Sequence, residues 1–130
     1  MSDNPRFVSR WMSKDLETIS PSSALGDALE RMGQRRIRHL PVVDGGKLVG
    51  LLSDRDARRS LDGEGSEAKV RDMMTPYNKL RCVEPGALVR DAAELICREK
   101  ISALPVVVGE QLVGIVTSED LLWAFLEEPE

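Results

Sequence analysis

The chain has 130 residues, 42% of them hydrophobic and 31% charged, and a formal net charge of -4 with a pI near 5.1. That balance is ordinary for one soluble globular domain and excludes a general nucleic-acid surface, which needs clustered cations to displace phosphate counterions. No apolar run approaches the length of a membrane span, and the Met-Ser-Asp-Asn-Pro start lacks the basic-then-apolar layout of a signal peptide, so a cytoplasmic protein is expected.

Taken in order, residues 1 to 7 are polar and expected to fray. Leu16 to Ile19 alternates apolar and polar as a half-buried strand does, closed by Pro21. Ser22 and Ser23 are N-cap candidates for a helix whose Leu25, Ala28, Leu29 and Met32 recur at helical spacing. Leu40 to Val43 is a short apolar run fitting a buried strand, with Pro41 where no ladder donor is required. Asp44-Gly45-Gly46 predicts a type I' hairpin, since both central residues need positive φ. The return strand, Lys47 to Leu52, contains Gly50, which signals a bulge or another group's close approach. Ser53 then stands where the strand ends and a helix begins, an N-cap position followed by acidic residues.

The same series returns. A shift of 64 residues aligns Ile37 with Ile101, Leu40-Pro41-Val42-Val43 with Leu104-Pro105-Val106-Val107, Leu48-Val49-Gly50 with Leu112-Val113-Gly114, and Asp56 with Asp120. Upstream, Val8 to Ser13 matches Val70 to Thr75 at a shift of 62. The repeated unit is thus a supersecondary domain rather than a solenoid repeat. Repeats at 8–62 and 70–127 flank a charged, Gly-containing linker at 63–69. Units this small bury little surface alone, so the pair is the expected folding unit.

The last helix carries Leu121, Leu122, Trp123, Phe125 and Leu126 and is apolar most of the way round, so Trp123 and Phe125 serve either an interface or the core. Cys82 and Cys97 lack metal or CxxC spacing and read as reduced, mostly buried thiols. His39 is the sole histidine, and no nucleophile-elbow sequence accompanies it.

An apolar-Pro-Val strand, a tight turn, then Leu-Val-Gly-apolar-apolar-Ser/Thr-x-x-Asp resembles the CBS domain, and two copies in tandem resemble a Bateman module. The resemblance runs from about Val8 to Glu127, with closing motifs Gly50-Leu-Leu-Ser53-Asp-Arg-Asp56 and Gly114-Ile-Val-Thr117-Ser-Glu-Asp120. It implies an α+β fold of two β-α-β-β-α repeats related by a pseudo-two-fold. It also implies a non-catalytic regulatory module that binds an adenine nucleotide or nucleoside (AMP, ADP, ATP, NAD or S-adenosylmethionine) in clefts between the repeats and signals through a homodimer. The regulated enzyme or transporter would be another chain. A ligand-free dimerisation or protein-interaction module is the alternative. No cofactor, metal, membrane span or nucleic-acid partner is implied.

The chemistry of the motif supports the ligand reading. A carboxylate accepts hydrogen bonds from both ribose hydroxyls, each worth roughly 1.5 to 3 kcal/mol when charged. A hydroxyl at a helix N-terminus sits where amides favour phosphate. The resemblance therefore assigns Ser53 with Asp56 and Thr117 with Asp120 to ribose and phosphate, and Arg38 and Arg55 to phosphate, while His39 beside them is either a further phosphate contact or an ordinary core or surface histidine. Ile19, Val42, Val83 and Val106 are assigned to the base. The copies differ in charge: Arg38-His39 and Arg55 face Ser102-Ala103 and Glu119 at the matching positions.

Overall fold

The computed structural model describes residues 5–61 and 67–127. They form two compact units, one made of Glu17–Leu80 and the other of the chain up to Leu16 together with Arg81 onward. The linker expected at 63–69 lies outside the described residues except for Glu67, Ala68 and Lys69, which belong to the first of these units.

In the Glu17–Leu80 unit, α2 (Leu25–Arg35) is followed by β1 (His39–Asp44), β2 (Lys47–Ser53), α3 (Asp54–Leu61), α4 (Val70–Met73) and a two-residue β3 (Thr75–Pro76). The sheet order is β1-β2-β3, all antiparallel. In the other unit, α1 (Val8–Trp11) comes from the N-terminus, and α5 (Val89–Glu99), β4 (Ala103–Val108), β5 (Gln111–Thr117) and α6 (Ser118–Leu126) follow Arg81. Each has its own core. Leu25, Met32, Leu40, Val42, Leu52 and Val70 close one, and Val8, Ile96, Leu104, Val106, Val116 and Leu121 close the other.

Both hairpins form as the glycines require. Gly45 and Gly46 have φ of 59° and 82° between the paired Asp44 and Lys47, a type I' turn. In the second hairpin only Gly109 is positive, at 63°, the φ pattern of type II'. Val42 pairs Gly50 while Val43 pairs Leu48, so Val49 is an extra residue and the return strand bulges there. Val113 bulges likewise between the Val106–Gly114 and Val107–Leu112 pairs.

The strand expected at Leu16 to Ile19 contracts to one parallel bridge, Ile19 to Val42, and Val83 to Val106 repeats it. Ile19 N–H donates to the Pro41 carbonyl at 3.1 Å and Val43 N–H to the Ile19 carbonyl at 2.9 Å. Extending that ladder either way needs a donor from Pro41 or Pro21, and neither has an N–H. Pro105 and Pro85 stop the second copy in the same way.

Neither Ser22 nor Ser23 caps α2. Its N-cap is Ala24, while the Ser20 hydroxyl accepts the Ser22 amide at 3.2 Å within a turn. The first α2 amide is satisfied instead by chain from elsewhere: Leu25 N–H donates to the Ala68 carbonyl at 3.0 Å. Val89 N–H donates to Arg6 at 2.8 Å in the same role on α5.

These bonds belong to a repeated docking pattern. Val8 and Ser9 donate to Ala87 and Pro85, and Ser13 exchanges two bonds with Ile115; Val70 and Arg71 donate to Ser23 and Pro21, and Thr75 pairs Leu51. The helical turn at the head of each sequence repeat therefore completes the hairpin and helix of the other repeat. Val8 and Val70, both fully buried, anchor the two turns.

Candidate functional site

Each Ser/Thr-x-x-Asp motif forms a corner where a return strand turns into a helix. In the first copy His39 pairs Ser53 across β1 and β2, and Asp54 N–H donates to the Arg38 carbonyl at 2.7 Å. The Ser53 hydroxyl oxygen accepts the Asp56 amide at 3.1 Å. Backbone pairing thus brings Arg38, His39, Ser53, Arg55 and Asp56 to one end of one hairpin. Arg38 and Arg55 are exposed, while His39, Ser53 and Asp56 are half-buried. Burial holds the His39 imidazole below its ordinary value of 6.5, the Arg38 cation pushes the same way, and Asp54 opposes both.

The second copy has the same frame. Ala103 pairs Thr117, and Ser118 N–H donates to the Ser102 carbonyl at 2.9 Å. Thr117 is the N-cap of α6: its hydroxyl oxygen accepts the Asp120 amide at 3.2 Å, and the Asp120 carboxylate accepts the Thr117 amide at 2.9 Å. This is a capping box with Asp in the third position. Glu119 is exposed and Ala103 buried, so the cationic character of the first corner is replaced by neutral and acidic groups.

The apolar candidates are placed differently from the polar ones. Ile19, Val42 and Val106 are 3%, 0% and 0% exposed, so their side chains belong to the cores. Val83 is half-buried. The thiols also depart from expectation, because Cys97 is exposed and Cys82 half-buried, where burial pushes its thiol up. Cys97 follows the buried Ile96 by one residue, a rotation of about 100° around α5 that carries it off the core face. Among the described residues no group of three or more His, Cys, Asp or Glu side chains is arranged to hold a metal ion. No helix among them is long and apolar enough to cross a membrane.

The sequence reading missed Met12 and Met74. Their sulfur atoms lie where a Cβ on Gly114 or Gly50 would be, 2.6 Å from it in both cases. The two glycines were the available signal, since each marked a close approach without saying what approaches.

Comparison with known proteins agrees with this architecture. The sequence model described as the CBS domain matches residues 8–63 and again 70–127. The chain is 33% identical over 119 residues to the CBS domain-containing protein YhcV of Bacillus subtilis, covering 88% of this chain and 81% of that one. Two further relatives are longer, the chain spanning 44% and 21% of their lengths. Among solved structures, CBSX2 in complex with AMP superposes with a TM-score of 0.83 at 31% identity, covering 93% of this chain and 96% of CBSX2. CBSX2 is a CBS-pair protein from Arabidopsis thaliana. The CBS domain pair of protein MJ0100, in complex with 5-methylthioadenosine and S-adenosyl-L-methionine, gives 0.84 at 30% identity, covering 92% and 94%. With two matches to the family model spanning nearly its whole length and a shared fold, the chain belongs to the CBS domain family as a tandem CBS pair.

Proposed function

We propose that this chain is a non-catalytic regulatory module that binds an adenine nucleotide or nucleoside at its Ser/Thr-x-x-Asp corners and works as a homodimer in the cytoplasm. One observation carries the reading: the corner is built twice on the same backbone frame, Ser53 with Asp56 and Thr117 with Asp120, in a chain about 30% identical to CBS pairs solved with AMP and with 5-methylthioadenosine and S-adenosyl-L-methionine. Asp56 and Asp120 are the ribose groups. Ser53 and Thr117 meet phosphate at the N-terminal ends of α3 and α6, where the helix dipole favours an anion. Arg38 and Arg55 add cations only at the first corner, beside the imidazole of His39 that burial keeps from protonating, so that corner takes the anionic end of the ligand while the second favours an uncharged one.

Regulation follows if the ligand binds one arrangement of the dimer more tightly than another, because only differential affinity shifts such an equilibrium. Catalysis is assigned to a partner enzyme or transporter on another chain. Exposure of Trp123 and Phe125, at 54% and 45%, supports their reading as interface rather than core. Thermal-shift measurement with adenosine, AMP, ATP, S-adenosylmethionine and GMP tests the ligand. Saturable stabilisation by adenine compounds is expected, since binding to the native state raises its melting temperature by mass action. No shift with any of them at millimolar ligand would favour the second reading, a ligand-free interaction module, which the use of the Asp120 carboxylate in its own capping box supports.

A further inference from the structure

The two corners share a backbone frame but differ in what holds their carboxylates. Asp120 is already engaged: its Oδ2 accepts the Thr117 amide at 2.9 Å, while its own amide donates to the Thr117 hydroxyl at 3.2 Å. Asp56 donates its amide to the Ser53 hydroxyl in the same way, at 3.1 Å. Among the described residues, however, the Asp56 carboxylate takes no hydrogen bond or ion pair. Both aspartates are half-buried, so the difference lies in their partners and not in their exposure. Neighbouring charge adds to it. Arg55 precedes Asp56, and the other acid of that turn, Asp54, is held by Arg58 at 2.9 Å, whereas the exposed Glu119 precedes Asp120.

A ribose diol donates two hydroxyl protons, and one carboxylate holds both best with its two oxygens. Asp56 offers both oxygens as it stands. Asp120 offers both only after releasing the Thr117 amide, which then opens α6 without its acceptor. A ligand at the second corner is therefore bound against the cap of α6. The free energy of a typical cap corresponds to roughly a fivefold change in a dissociation constant.

We propose that the corners are unequal sites: Asp56 takes a ribose first, and Asp120 binds a second ligand only by giving up the capping box that starts α6. This rests on the nucleotide reading above and assigns the order in which its two sites fill. Because ligand and helix compete for one carboxylate, occupation of the second corner loosens the first turn of α6. The coupling is reciprocal, so whatever tightens that turn weakens the second site.

The test is residue-resolved titration of the intact chain by NMR. The Ser53 and Asp56 amides report the first corner and the Thr117 and Asp120 amides the second, with adenosine as the ligand so that phosphate charge plays no part. The first corner is expected to reach half-saturation at roughly fivefold lower adenosine than the second. Hydrogen exchange at the Thr117 amide is expected to accelerate as the second corner fills. Glu119→Arg is expected to tighten AMP at the second corner and to leave the adenosine gap in place, because it changes charge and not the capping box. Equal half-saturation at the two corners, or a Thr117 amide that exchanges more slowly as adenosine binds, would overturn the unequal sites and leave the nucleotide reading intact. No response at either corner to millimolar adenosine or AMP would remove the nucleotide reading and this proposal with it.

Discussion

Gly50 lies directly beneath Met74. A Cβ on Gly50 would stand 2.6 Å from the Met74 sulfur and 2.8 Å from the Thr75 carbonyl oxygen, closer than such atoms approach. Gly114 stands in the same relation to Met12, at 2.6 Å from sulfur, but its backbone neighbour, the Ser13 oxygen, is farther at 3.0 Å. A methionine end can swing aside, whereas the strand backbone is pinned by its ladder. Gly50→Ala is therefore expected to destabilise by about 1–3 kcal/mol, the range for overpacking, and Gly114→Ala by less. Urea unfolding of both variants checks this. Equal and negligible losses would mean that the docked segments yield freely.

Two helix ends carry strain that glycine would relieve. Arg36 and Lys100 terminate α2 and α5 in the left-handed region, with φ of 57° and 56°. The conformation costs a non-glycine residue on the order of 1 kcal/mol, partly offset by the greater freedom of glycine in the unfolded chain. Arg36→Gly and Lys100→Gly should each stabilise by roughly 0.5 kcal/mol, read as a higher urea midpoint at unchanged slope.

His39 makes stability depend on pH in a definite direction. Its folded value lies below the ordinary 6.5, so above that pH it is neutral in both states and contributes nothing. As pH falls through 6.5 the unfolded chain takes up a proton that the folded chain resists, and stability declines until the folded value is reached. The slope from this group cannot exceed about 1.4 kcal/mol per pH unit. Denaturant unfolding between neutral and mildly acidic pH should show the decline, and His39→Gln should flatten that part of it. A variant with the wild-type slope would place the effect on other groups.

The charge difference between the corners predicts a pattern in ligand binding. Arg38→Ala or Arg55→Ala should weaken AMP far more than adenosine, and added salt should weaken AMP more as well, since phosphate–cation attraction is screened. Asp56→Ala should weaken both ligands, by on the order of 1–3 kcal/mol for a lost charged hydrogen-bond pair. Calorimetric titration separates the cases. Equal losses for adenosine and AMP in the arginine variants would sink the phosphate assignment.

Thr117→Ala should lower stability by about 1 kcal/mol through loss of the α6 cap, before any effect on binding. Asp120→Ala removes the other half of the same capping box, so its binding defect must be read against its unfolding midpoint.

What the sequence by itself determined is local. Positive φ at Gly45, Gly46 and Gly109 follows from glycine at a two-residue turn, and the Ser53 and Thr117 hydrogen bonds follow from a hydroxyl three residues before an amide at a helix start. The 64-residue register made the paired corners visible, because the same local chemistry written twice gives the same local backbone. Side-chain exposure was decided by tertiary packing: the same helical pattern on α6 allowed either core or surface for Trp123 and Phe125, and the fold covers only Leu121 and Ala124. Tertiary structure also decided which body each helical turn completes. Nothing between Val8 and Ser13 states that its backbone bonds go to Pro85, Ala87 and Ile115 rather than to the equivalent residues of the adjoining repeat, which offer the same donors and acceptors. Those hydrogen bonds are generic, so the choice rests on where the connecting chain can reach and on which buried valine finds a closed core, and both are properties of the assembled fold.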